Sequence, residues 1–144
     1  MFSLHPKLAA DTILIGELPL SRALLMNNAE LPWVILVPRR ASACEWHSLE
    51  IQDQRQLHIE SIGVGKLLMT LFGGDKLNTG VIGNLVSQLH VHHVVRFKDD
   101  SVWPHPVWGK IEICRYSKDN QVRMVAQLQQ ALAQSFNDFQ AAIE

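Results

Sequence analysis

The chain has 144 residues, of which 47% are hydrophobic and 19% are charged. This balance is typical of a folded globular protein and excludes a disordered one. The 13 Lys and Arg residues nearly balance the 14 Asp and Glu residues, so no excess positive charge favours binding to a nucleic acid polymer or an anionic membrane. The length suits one domain with a buried core, and we predict a single domain over residues 1–144.

The cellular location follows from two further features of composition. No apolar stretch is long enough to span a bilayer, and the first residues lack the pattern of a secretory signal. The two cysteines, Cys44 and Cys114, are too few for a secreted disulfide framework. We therefore expect a cytoplasmic protein.

Three short aliphatic runs at the start of the chain predict strands, at residues 12–16, 22–26 and 33–37. The links between them, 17–20 and 27–32, are short and contain Pro or Asn. Short links of this kind join neighbouring antiparallel strands. The pattern therefore predicts an antiparallel meander.

A helix is predicted from Ser48 or Asp53 to Phe72, because apolar residues recur there at helical spacing. Asp53 is a candidate helix cap, and Gly73 favours the end of the helix. Two more strands are predicted at 76–82 and 88–97.

The last third of the chain predicts a loop and a second helix. The Trp- and Pro-rich stretch 102–109 cannot form a regular helix, because proline lacks the backbone N–H. After Asp119 or Asn120, apolar residues recur every three or four positions as far as Ile143. Strands and helices in this order predict an α+β fold on a mostly antiparallel sheet.

The predicted strand 88–97 contains a histidine cluster. Alternate side chains of a strand face the same way, so Gln88, His90 and His92 are expected on one face and His93 on the other. Such neighbours stand roughly 7 Å apart, which lets two imidazoles address one anion. One neutral ring could attack phosphorus while the other donates a hydrogen bond. The spacing alone leaves two alternatives open: a solvated strand face, or a His-x-His metal site.

The segment resembles the signature of the histidine triad (HIT) superfamily, His-φ-His-φ-His-φ-φ, where φ is apolar. Gln88, His90 and His92 occupy the three His positions, and the aliphatic strand ending in Pro38-Arg39 resembles the family's upstream segment. The resemblance implies that His90 is the nucleophile on a nucleotide α-phosphate and that His92 contacts the phosphate or leaving group. It also implies that Gln88 replaces the His that supports the hydrogen-bond network of the nucleophile.

The same resemblance implies a set of substrate-binding residues. Asn27 or Asn28 lies where a polar side chain binds ribose, and Asn78 and Asn84 lie near the family's ribose- and phosphate-binding amides. Trp33 stands where the family has a His, and it would either stack on a base or fill the core. Trp103, His105 and Trp108 are further candidates, since later segments often complete the nucleotide pocket in this family.

The implied fold is the HIT type, a mainly five-stranded antiparallel sheet with a central helix and a C-terminal helix. Its core would span residues 4–98, followed by the Trp/Pro loop and last helix at 99–144. The implied activity is hydrolysis or nucleotidyl transfer on a nucleoside polyphosphate, dinucleoside polyphosphate or phosphoramidate. The resemblance implies a homodimer without a cofactor or bound metal, in which a divalent cation could accompany the substrate. A nucleotide-binding module without turnover and a His-x-His metal enzyme are the alternatives.

Overall fold

The computed structural model describes residues 1–143 of the chain. In chain order its helices are α1 (Pro6–Asp11), α2 (Ile51–Phe72) and α3 (Lys118–Ser135), with a 3₁₀ turn at Trp46–Ser48. Its strands are β1 (Thr12–Glu17), β2 (Ser21–Met26), β3 (Trp33–Pro38), β4 (Lys76–Gly80), β5 (Val91–Arg96) and β6 (Gln140–Ala141).

The strands form one sheet in the order β4-β5-β3-β2-β1-β6, and every neighbouring pair is antiparallel. The predicted meander β1-β2-β3 is confirmed to within one residue at each strand end. β5 pairs with β3 on one side and β4 on the other, and this register places His92 opposite both Ile35 and Gly80. The strand that carries the histidines is therefore an interior strand, with a neighbour on each side.

The two faces of the sheet are covered differently. α2 and α3 pack on one face, where Val64, Leu68 and Leu132 join a core cluster with Val34 and Val95 of the sheet. The other face forms a second cluster under the N-terminal segment and the 102–111 loop. His92 lies on this second face, under loops instead of helices.

The central helix α2 has the predicted position, but its predicted cap is wrong. Glu50 is the N-cap and makes no side-chain capping bond. Asp53 lies inside the first turn, where its carboxylate accepts two hydrogen bonds from Arg40. The helix ends as expected, because Gly73 has a φ of 63° and its N–H bonds to the carbonyl of Met69.

Three predicted boundaries need correction. β4 ends at Gly80 and not at residue 82, and β5 begins at Val91, so Gln88 precedes the strand. The last helix ends at Ser135 because Phe136 takes an extended conformation, and β6 then adds a sixth strand beside β1. Phe136 and Phe139 pack on the helix-side core from outside the helix. Their spacing matches that of a helix, although both residues lie after its end.

The six-residue helix α1 was not predicted, although two local signals mark it. Pro6 stands at its first position, and His5 Nδ1 accepts a hydrogen bond from Lys7 N. The stretch 102–109 forms turns and no helix, as predicted. Within residues 1–143, no helix is both long and apolar enough to cross a membrane.

Candidate active site

His90 and His92 lie side by side at the start of β5. His90 directly precedes the strand and His92 is its second residue. Their ring centroids are 4.9 Å apart, with the ring planes inclined at 66°. Both residues are buried, at 7% and 5% exposed. The two imidazoles thus share one face, as the alternation of the segment predicts.

A main-chain contact fixes the proton of His90. Its Nδ1 lies 2.6 Å from the carbonyl oxygen of Gln88. A carbonyl only accepts hydrogen bonds, so Nδ1 must carry the proton. In the neutral ring, Nε2 then has a free lone pair, which is the form required for nucleophilic attack.

A different contact gives His92 the opposite tautomer. The indole Nε1 of Trp33 donates a hydrogen bond to His92 Nδ1 over 3.0 Å. An indole N–H only donates, so Nδ1 is unprotonated and Nε2 carries the proton. Burial, together with the neighbouring His90 and His93, lowers the pKa of His92 to about 3. His92 is therefore a neutral N–H donor at physiological pH.

The two rings consequently present complementary atoms. His90 offers a lone pair on Nε2, and His92 offers an N–H on Nε2. A phosphoryl group placed between them could be attacked by the first ring and hydrogen-bonded by the second. The arrangement suits a reaction in which negative charge develops on a phosphoryl oxygen.

A cleft of about 120 Å³ opens beside His90. A cleft of this volume can hold a phosphoryl group. Its walls come from residues 44–45, 81–84 and 87–90.

Asn84 is the one predicted binding asparagine that lines this cleft. The other three hold parts of the protein together. Asn28 donates to the carbonyl of Glu112 and Asn27 accepts from the N–H of Tyr116, while Asn78 accepts from Arg96. Ribose binding by these three residues stays a prediction.

Gln88 lines the cleft, but its side chain is directed at the N-terminal segment. Its Oε1 accepts from His5 N and its Nε2 donates to Ser3 O, each over 2.9 Å. Gln88 lies before β5, and the N-terminal segment that its side chain bonds packs over the same face of the sheet as Trp33 and His92. Gln88 contacts the His90 ring through its carbonyl oxygen.

Two of the three candidate tryptophans contact His92, and the third contacts Arg96. Only 4% of Trp33 is exposed, which leaves little ring surface for a base to stack on. Trp108 packs edge-on against His92, with 5.4 Å between ring centroids. Trp103 lies under the guanidinium of Arg96, and His105 is exposed. The residue spacing gave no signal for the Trp33–His92 contact, which joins positions 59 apart.

His93 lies on the opposite face and is fully buried. Its Nδ1 lies 3.2 Å from the carbonyl of Val34, so Nδ1 is the donor, and Nε2 accepts from Ser61 Oγ over 2.8 Å. Burial lowers the pKa of His93 to about 4, although its bonds to the carbonyls of Val34 and Val91 oppose this. The predicted structural role of His93 is consistent with these contacts.

His92 and His93 together make stability depend on pH. The unfolded chain binds these protons near pH 6.5, whereas the folded chain binds them only near pH 3 to 4. The stabilisation is therefore complete above pH 6.5 and is lost as the pH falls toward these folded values. Each histidine contributes a slope of about 1.4 kcal/mol per pH unit in between.

We expect His93→Asn to reduce that slope. Asparagine keeps a donor for the Val34 carbonyl but cannot titrate, so one of the two contributions disappears. Urea unfolding at intervals between pH 7 and pH 4.5 measures the slope. His47→Asn, at an exposed histidine, is the control and should keep the wild-type slope. An unchanged slope in the His93 variant would contradict the prediction.

The metal interpretation receives no geometric support from the described chain. Across residues 1–143, no group of three or more His, Cys, Asp or Glu side chains is arranged to hold a metal ion. In addition, one nitrogen of each histidine of the pair is already hydrogen-bonded within the protein.

An α+β fold whose antiparallel sheet carries two oriented histidines, the first of which lines a cleft, is the arrangement expected from the histidine triad resemblance. The family model for the HIT domain matches residues 7–99. The chain therefore belongs to the HIT domain family.

Three solved structures are similar over nearly the whole chain. A histidine triad protein from Marinobacter aquaeolei VT8 is 47% identical, with 94% of this chain and 98% of that chain covered and a TM-score of 0.91. One from Bradyrhizobium japonicum is 41% identical, covering 90% and 97%, with a TM-score of 0.87. One from Sinorhizobium meliloti 1021 is 38% identical, covering 92% and 98%, with a TM-score of 0.88. The comparison with curated proteins gives no match.

Proposed function

We propose that this protein is a nucleotide-phosphate hydrolase or nucleotidyl transferase that acts at an α-phosphate. The substrates would be nucleoside polyphosphates, dinucleoside polyphosphates or nucleoside phosphoramidates. The observation that carries the proposal is the pair of opposite tautomers, in which His90 Nε2 has a free lone pair beside the N–H of His92. Membership of the HIT domain family supports the choice of substrate class.

In the first step, His90 Nε2 attacks the α-phosphorus. A P–N bond forms, the bond from phosphorus to the leaving group breaks, and the leaving group departs with the electron pair. His90 then carries a positive charge, and its Nδ1–H still donates to the Gln88 carbonyl. This hydrogen bond strengthens because its donor is now charged. The neutral N–H of His92 donates to the phosphoryl oxygen on which charge develops.

In the second step, water or another acceptor attacks the same phosphorus. The P–N bond breaks, its electron pair returns to Nε2, and His90 is neutral again. Attack by water releases a nucleoside monophosphate, and a proton passes to solvent. Asn84 lines the cleft, and we expect its amide to donate to the phosphoryl group without adding a titrating group. We propose no protein-bound cofactor, and a divalent cation would enter with the substrate phosphates.

The test is incubation of the purified protein with a diadenosine polyphosphate and with an adenosine phosphoramidate, each with and without EDTA. We expect release of AMP from at least one substrate, and an acid-labile adenylyl group on a His90 peptide after rapid quenching. Tight AMP binding without any turnover would favour the binding module. Activity that EDTA abolishes and magnesium does not restore would favour a metal enzyme. Assembly as a homodimer and a cytoplasmic location stay predictions from the sequence.

A further inference from the structure

We propose that Gln88 and residues 2–5, here called the N-terminal strap, form a positioning device that sets the tautomer of His90. This inference rests on the proposed function, in which His90 is the nucleophile. Gln88 makes three hydrogen bonds: two from its side chain to the strap and one from its carbonyl to the nucleophile. A single residue thereby links the strap to the reactive ring.

The side-chain bonds of Gln88 fix the amide in one orientation. Oε1 faces the N–H of His5 and Nε2 faces the carbonyl of Ser3, so a flipped amide would oppose like groups at both contacts. The amide carries its donor and its acceptor on one planar group, and it can therefore bridge two main-chain groups that are two residues apart. This property gives a physical reason for glutamine at the first triad position.

The strap itself is anchored away from Gln88. Phe2 and Leu4 pack against the second core cluster, which contains Trp33. The guanidinium of Arg22 lies 5.3 Å from the centroid of the Phe2 ring. Helix α1 begins directly after the strap, at Pro6. The strap is therefore fixed at both ends, and it provides Gln88 with a stable attachment.

The carbonyl of Gln88 depends on such an attachment because no strand or helix holds this residue. It lies in the loop between β4 and β5, ahead of the first strand residue, Val91. One other contact orients its peptide group, the bond from Leu89 N to the Ala43 carbonyl. Loss of the strap would leave that contact alone to aim the Gln88 oxygen at His90 Nδ1.

The experiment compares three variants by ¹⁵N NMR of the His90 ring without substrate. Gln88→Met removes both side-chain bonds at similar size. His5→Pro removes the main-chain N–H donor at that position, and the φ of −56° suits proline. His5→Ala is the matched control, because both His5 variants lose the bond from Lys7 N to the imidazole but only the proline variant loses the main-chain N–H.

We expect wild type and His5→Ala to show only the Nδ1–H tautomer of His90. Gln88→Met and His5→Pro should show a mixture, with Nε2–H clearly present. Their kcat on a substrate of the wild-type protein should fall in proportion to the remaining Nδ1–H population, about twofold for an even mixture, with little change in KM. An unchanged tautomer in both variants, each confirmed as folded by thermal unfolding, would overturn the inference. The NMR result holds whether or not the wild type turns over nucleotides, so it separates this inference from the proposed function.

Discussion

Replacement of His90 by asparagine is expected to abolish turnover while nucleotide binding survives. Asparagine keeps an N–H for the Gln88 carbonyl and a similar size, but it has no nitrogen lone pair that can attack phosphorus. Removal of a covalent nucleophile typically costs a thousandfold or more in kcat, so roughly that loss is expected. AMP affinity, measured by calorimetry, should change only a few-fold, since His92 and the cleft remain.

The matched control is His58→Asn, at an exposed histidine of α2 outside the cleft. It carries the same substitution and should keep the wild-type kcat. Quenched reactions of the His90 variant should also lack the adenylyl-protein species. Turnover by the His90 variant at the wild-type rate would show that the proposed nucleophile is wrong, whatever the control does.

The strongly periodic parts of the fold are predictable from sequence. Dense runs of branched aliphatic residues predict β1 to β3. The spacing of Leu57, Val64 and Leu68 predicts α2, because this helix must bury one face. The pattern fails at the C-terminus for a physical reason. Phe136 and Phe139 have helical spacing, yet they reach the core from a turn after the helix. Apolar residues three positions apart occur in both a helix and such a turn, so the spacing does not distinguish the two.

The candidate site is predictable only in part. Strand alternation and the family signature identify His90 and His92, because both signals are local in sequence. The groups that orient these rings are not local. Trp33 is 59 residues from His92, and the strap is more than 80 residues from Gln88, so no spacing rule relates them. The Trp33–His92 bond depends on the pairing of β3 with β5, and the Gln88 bonds depend on where the N-terminal segment packs. Only the folded chain defines these positions.

Removal of the Asp100 carboxylate is expected to give the largest loss of stability. Arg96 and Asp100 form a buried ion pair with side chains 1% and 3% exposed, joined at two atoms over 2.9 and 3.0 Å. Burial opposes ionisation of Asp100, but the hydrogen bonds from Arg96, Phe97 N and Val102 N outweigh it and lower the pKa of the carboxyl. The ion pair therefore remains charged at the acidic pH at which protonation of His92 and His93 already destabilises the fold.

Asp100→Ala should cost about 3–5 kcal/mol in the free energy of unfolding, because it leaves a guanidinium buried without its counter-charge. Urea unfolding at pH 7 measures this. Lys7–Asp11 has the same i,i+4 spacing but is 52% and 36% exposed, so Asp11→Ala should cost less than about 1 kcal/mol. The double variant Arg96→Met with Asp100→Ala should recover part of the loss, since no unpaired charge remains.

The stability loss should extend to the histidine pair through the loop that Asp100 anchors. Asp100 accepts from the N–H of Val102, at the start of the segment that carries Trp108 against His92. If that loop loosens, water reaches His92 and its pKa should rise from about 3 toward its ordinary value. NMR titration of the His92 ring in folded Asp100→Ala measures the change. If the variant is destabilised but the pKa of His92 is unchanged, the ion pair contributes only to stability. The proposed effect of the loop on His92 would then be wrong.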